Sequence, residues 1–215
     1  VNQTHTEDVL WPRYAEPADI ADIEAVPLAE RGLPVSTYAL LRRAATLWPD
    51  RTALRVLPDG DRWQEPTVVS FGQLLTDVHR TANLLHHLGV DCHSTVALIA
   101  PNCAELVTAT LAAQLAGVAA PINAALSLDH ITELLRRSGA RVLITAGPEL
   151  DPATWATARQ LATARVVDTV LLLAPTGETV SSPEPLGVDG LTIGPLHALA
   201  MDFDGTEFTG IPPSG

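Results

Sequence analysis

Apolar and polar positions follow three alternating rhythms along the chain. Tyr38, Leu41, Ala45 and Trp48 recur at spacings of three and four while Arg42 and Arg43 fall opposite them, which predicts a helix opening at Ser36 or Thr37 and closed by Pro49. TALRVL and TVVS are short β-rich runs separated by PDGDRWQEP, a turn-rich stretch, and predict an antiparallel hairpin. Because that hairpin stands beside βα units, it predicts a mixed sheet. Ser70 with Gln73 forms a capping box, and the stripe Leu74, Val78, Ala82, Leu85 and Leu88 carries a second helix to Gly89.

The middle of the chain has a different texture. TVALIA has the length and β-branched start of a buried strand, and Pro101 stops it by removing a ladder donor. From Leu106 to Ala116 the residues are Leu, Val and Ala, interrupted only by Thr108, Thr110 and Gln114, so this helix is expected to be buried on most sides. Asn102 is placed to cap it, with Glu105 completing a capping box, and Gly117 to end it in the left-handed conformation before VAAPI resumes as a strand. The whole is a βαβ unit with an expected right-handed crossover.

A further helix follows, capped by Ser127, with Leu128, Ile131, Leu134 and Leu135 expected inward and Arg136 and Arg137 near the negative end of its dipole before Gly139. ARVLITAG reads as a strand, Asp151–Pro152 as the start of a helix running to about Ala164, and DTVLLLA as another strand. The predicted class is therefore α/β: a mostly parallel layered sheet with flanking helices and an antiparallel hairpin, part of a larger domain.

The two ends lack these rhythms. Residues 1–33 show no sustained period and are broken by prolines, so they read as an arm, which Trp11 and Tyr14 could anchor. Residues 34–173 form the α/β subdomain. Residues 174–215 are rich in proline and glycine and read as a linker or loop leading to a missing remainder, with LHALA as one short helical turn.

Charge sharpens the division. The net charge is −12, yet residues 1–33 hold seven acids and two arginines, residues 174–215 six acids and no base, and the middle twelve acids against eleven arginines. The acidity belongs to the ends, and it argues against nucleic acid and anionic membranes as partners. The longest apolar run is about a dozen residues, short of the ~20 a bilayer-spanning helix needs, and the first residues lack a signal peptide's pattern, so a cytoplasmic location is expected. All thirteen bases are arginine, which leaves the chain without lysine for catalysis.

Candidate chemistry is sparse. HHLGVDCH, residues 86–93, gathers His86, His87, Cys92 and His93, whose imidazoles and thiol suit zinc, but adjacent histidines on a helix point about 100° apart. Solvated side chains at a helix C-terminus account for them, with His79 extending the row only along the helix exterior. Cys92 and Cys103 lack metal-ligand spacing and, in cytosol, are not expected to pair. No G-x-G-x-x-G follows a strand, and neither a G-x-x-x-x-G-K-[ST] loop nor a G-x-S-x-G elbow occurs. Asn102 and Glu105 lie where open α/β sheets commonly bind ligands, and capping explains the same two residues. No residue is assigned a catalytic, cofactor-binding or metal-binding role.

The order of segments carries more. WPDRTALRVL, then SFGQLLTDVHRTANLLHHLGV, then STVALIAPNCAELVTATLAAQLAGVAAPINAALSLDHITELLRRSGARVLIT resembles the N-terminal part of the adenylate-forming (AMP-binding) ligase superfamily, in particular acyl-CoA synthetases of the fatty-acid–CoA ligase type. Five phrases occur in order: P-D-R-T-A at the entry, S-F-G-Q-L opening a helix, L-G-V ending it, V-A-L-I-A-P-N at the strand and turn, and A-G-V-A-A-P-I-N before the next helix. The resemblance covers about residues 34–146, with a weaker continuation to 173. It implies that a carboxylate attacks the α-phosphate of ATP, with magnesium and a lysine steadying charge, and that coenzyme A then displaces AMP. It also implies that the phosphate loop and catalytic lysines lie beyond FTGIPPSG, so that ATP, magnesium and coenzyme A belong to the full-length protein. This chain is then expected to be an inactive N-terminal fragment whose exposed apolar face meets the remainder of the ligase or another copy. The rival reading is a free-standing, non-enzymatic α/β binding or interaction module.

Overall fold

A computed structural model describes residues 14–57, 61, 63–180 and 186–213, the side chains of residues 28 and 29 excepted. Trp11 lies outside them. The arm before residue 33 contains a helix the proline pattern did not suggest, α1 (Pro17–Ala25), because proline is tolerated at the first helical position and Glu16 with Asp19 forms a capping box. It buries no residue, and Tyr14 is 70% exposed, so Tyr14 does not anchor the arm.

Helix α2 (Thr37–Leu47) starts at the Ser36 cap and buries Leu41 and Ala45 as the spacing predicts. Strands β1 (Thr52–Val56) and β2 (Thr67–Ser70) pair antiparallel. They form a separate two-stranded sheet instead of joining the main one, which is therefore wholly parallel among the described residues. The hairpin is instead tied to the next helix, α3 (Phe71–His87), whose Phe71 and Gly72 amides donate to the carbonyls of Arg51 and Pro49. The Ser70–Gln73 capping box forms as read.

The main unit is β3 (Thr95–Ile99), α4 (Ala104–Ala116), β4 (Val118–Pro121), α5 (Leu128–Ser138), β5 (Val142–Ala146), α6 (Pro152–Thr163) and β6 (Thr169–Leu173). The chain then adds β7 (Thr192–Pro195) and α7 (Leu196–Ala200). The strand order is β4-β3-β5-β6-β7. Strand periodicity divides the core in two. Val96, Leu98, Val142, Ile144, Leu171 and Leu173 face a cluster shared with α3, α4 and α7, while Ala97, Ile99, Leu143, Val170 and Leu172 face α5 and α6. The result is three layers, helices on both faces of a parallel sheet.

Three local expectations give way. Gly117 ends α4 with φ −169°, extended and not left-handed; a glycine is needed there because an added Cβ would lie 2.5 Å from the Ser94 carbonyl oxygen. The left-handed stop does occur at Gly139, φ 66°, after α5. Leu134 points outward, 42% exposed, while Ile131 and Leu135 are buried. Part of the stretch read as linker from Ala174 is structured: β7 pairs in parallel with β6, and the expected turn LHALA is α7. Four residues ending in Gly-Pro carry too little pattern to announce a strand, and Gly194 is there to admit Leu199, whose Cδ1 lies 2.9 Å from where a Cβ would stand.

Candidate functional site at the carboxyl edge of the sheet

Strands β4 and β5 lie on opposite sides of β3, so the topological switch point, where ligands bind in open α/β sheets, falls between the carboxyl ends of β3 and β5. Asn102 stands there, exposed, and does not cap α4. The cap position is Cys103, which contributes no side-chain hydrogen bond. The free helix-terminal amide of Ala104 instead donates to Thr176 Oγ1 at 3.0 Å, and Glu105 Oε2 accepts from the Ala174 amide at 3.0 Å. Both partners belong to the segment that follows β6. It crosses the edge and ends on buried Val180, whose methyls lie 3.1 and 3.2 Å from where a Cβ on Gly147 would stand. The chain's own strap thus crosses the carboxyl edge at the start of α4, and Glu105 accepts from its first residue.

Beside it, between α3, α4 and α7, lies a cavity of about 100 Å³ lined by Asp77, Arg80, Thr81, Glu105, Thr108 and His197, among others. Burial pushes the Glu105 carboxyl above the usual carboxylate range, against the pull of the Ala174 hydrogen bond and the His197 charge. Burial also raises Asp77, opposed by His197 and by Arg80, whose Nη1 lies 3.6 Å from its carboxylate. The Cys103 thiol is pushed up chiefly by burial, the wrong direction for a nucleophile. No local pattern announced this grouping, since its members come from three helices and one sits in the proline-rich tail.

The raised Glu105 value has a consequence for stability. The folded state holds the Glu105 proton more readily than the unfolded state does, so this group's contribution is present below the unfolded value and is lost as pH rises through the folded one. Glu105→Gln keeps an acceptor for Ala174 without the buried charge. Its melting temperature relative to the parent is expected to be highest at about pH 8 and to converge on it towards about pH 4. Thermal unfolding across that range checks this, and a pH-independent difference would contradict it.

The described histidines of α3 are engaged by other parts of the chain. His86 and His87 are exposed at the C-terminal end of α3 as expected, but their rings receive Phe208 and Phe203 at centroid distances of 6.0 and 5.4 Å. His79 is not on the exterior; it is 3% exposed, between the Tyr38 hydroxyl and the Gly205 carbonyl. Among the described residues no group of three or more His, Cys, Asp or Glu side chains is placed to hold a metal ion. The Ala104 amide at the start of α4 is taken by Thr176.

The family model of the AMP-binding enzymes matches residues 41–190, which takes in the buried residues of one core cluster and all but Leu196 and Ala200 of the other, and the chain belongs to that family. It is similar to the marinolic acid–CoA ligase of Pseudoalteromonas sp. (strain SANK 73390), with 30% identity over 139 residues, covering 64% of this chain and 21% of that protein. It is also similar to acetyl-coenzyme A synthetase 2 of Kluyveromyces lactis, with 33% identity over 111 residues, covering 51% of this chain and 16% of that one. The crystal structure of the anthranilate CoA ligase AuaEII in complex with anthranoyl-AMP superimposes with a TM-score of 0.61 at 19% identity, covering 88% of this chain and 30% of that chain. At that identity the likeness is one of fold. The chain spans about a fifth of the length of the curated relatives it matches.

Proposed function

We propose that these residues are the N-terminal α/β subdomain of an ATP-dependent, AMP-forming acid–thiol ligase that adenylates a carboxylic acid and transfers the acyl group to coenzyme A. The observation that carries this reading is the family match over residues 41–190, which falls on the layered unit and its five ordered phrases. Relatives named as CoA ligases and synthetases support the reaction class. The resemblance assigns charge stabilisation to lysine and magnesium, and this chain has thirteen arginines and no lysine. On this reading the 215 residues build scaffold, and ATP, magnesium and coenzyme A engage residues outside them. A fatty-acid-type substrate and a cytoplasmic setting belong to the same proposal. Among the described residues no helix is long and apolar enough to cross a membrane.

Carboxylate-dependent ATP–pyrophosphate exchange tests the proposal with two proteins, this chain alone and the complete reading frame that contains it. Exchange by the complete protein and none by these residues alone is expected. Turnover by the 215 residues would overturn the scaffold role, and a complete protein silent across short, medium and long carboxylic acids would overturn the reaction class.

A further inference from the structure

Two buried polar side chains of α3, His79 and Asn83, turn towards one distant segment. Asn83 is 5% exposed, and its amide is fully engaged by it. Its Nδ2 donates to the carbonyls of Asp204 and Glu207 at 2.9 and 2.8 Å, and its Oδ1 accepts from the amide and the hydroxyl of Thr209, both at 2.9 Å. Two donors and two acceptor positions exhaust what a carboxamide offers. One turn back, His79 Nδ1 meets the Gly205 carbonyl at 3.1 Å. A carbonyl only accepts, so that nitrogen carries a proton, and Nε2 lies 3.1 Å from the Tyr38 hydroxyl.

The segment itself is shaped to be held. Gly205 lies so close to α3 that a Cβ would stand 2.6 Å from Thr76 Cγ2 and 3.2 Å from its carbonyl. Asp204 closes its own turn by accepting from the amide and hydroxyl of Thr206, which lowers its carboxyl below the usual range. Phe203 and Phe208 then lie on His87 and His86. Residues 203–209 thus build no core of their own. They are fixed by hydrogen bonds from α3 to their backbone and to the Thr209 hydroxyl, with Phe203 and Phe208 packed against the core beside them.

We infer that Asn83, with His79, is a positioning residue for carboxylate adenylation: the pair clamps residues 204–209 onto α3 and so fixes where and in which direction the chain leaves that helix. This rests on the reading that the groups handling ATP follow in the complete protein. An apolar residue of similar size at position 83 would leave the Asp204 and Glu207 carbonyls and the Thr209 amide without these partners and so release the turn from α3. Displacement of an attached reacting group by about 1 Å costs roughly a hundredfold in rate, so a loosened clamp reaches the chemistry without touching it.

The test has two arms. In this chain alone, amide hydrogen exchange is followed for Asn83→Ala and for Thr209→Pro, which removes the donor from the opposite side and leaves α3 unaltered. Loss of protection across 205–208, and at the residue 209 amide in Asn83→Ala, with β3, β5 and β6 still protected is expected; wild-type protection across 205–208 in either variant would overturn the clamp. In the complete protein, both variants are expected to lower ATP–pyrophosphate exchange roughly tenfold or more, while thioester formation from added acyl-adenylate and coenzyme A stays within about twofold of the parent. Equal loss in the two half-reactions, or none in exchange, would overturn the positioning role. A parent protein without exchange would overturn the adenylation reading and this role with it, and would leave the clamp to the hydrogen-exchange result.

Discussion

Gly117→Ala is expected to destabilise the fold by on the order of 3 kcal/mol or more, a large part of the roughly 5–15 kcal/mol that holds a domain together. Its backbone is extended, so conformational strain is not the cause. The new Cβ would sit 2.5 Å from the Ser94 carbonyl oxygen and 2.7 Å from that of Asp91, and both obstacles are backbone. Neither can yield cheaply. The Ser94 carbonyl accepts the Val118 amide at 2.9 Å, the bond that starts β4 beside β3, and the Asp91 carbonyl accepts the Ser94 amide at 3.0 Å in the loop before β3. Moving either oxygen opens the βαβ unit at the end where its two strands begin. Chemical denaturation of the parent and the variant checks this, and a midpoint shift worth under about 1 kcal/mol would show that the loop can give way.

What was legible in the sequence followed from contacts close along the chain. Ser70 and Gln73, the stripe from Leu74 to Leu85, and Ser127 with Gly139 each need only neighbours within a few turns, and each stands as read. The illegible features depend on residues far away. Asn102 has the right chemistry for a cap, but Thr176, 72 residues on, takes the Ala104 amide, and the Ala174 amide draws Glu105 away from a capping box. His79 and Asn83 look like the polar side of an amphipathic helix until residues 204–209 return to cover them. The family was nevertheless visible, because the ordered phrases lie on locally determined elements. The candidate site was scarcely visible, because Asp77, Glu105 and His197 meet only through packing of α3, α4 and α7.

Ile131→Ala is expected to cost about 2–5 kcal/mol, and Leu134→Ala, three residues along the same helix, within about 0.5 kcal/mol. Both leucine-like positions look equivalent in the sequence, one helical step apart on an apolar stripe. The structure separates them: Ile131 is 0% exposed in the cluster with Ala97, Ile99 and Leu143, and Leu134 is 42% exposed. Helix α5 is the clearest place to see the difference, because Ile131 and Leu135 are its buried residues, with Leu128 packed beside them. At roughly 2–4 °C per kcal/mol for a chain of this size, the Ile131 variant should melt on the order of 10 °C lower and the Leu134 variant within about 2 °C of the parent. A Leu134 effect as large as that of Ile131 would mean that this face of α5 is covered in solution, by another copy or by further chain.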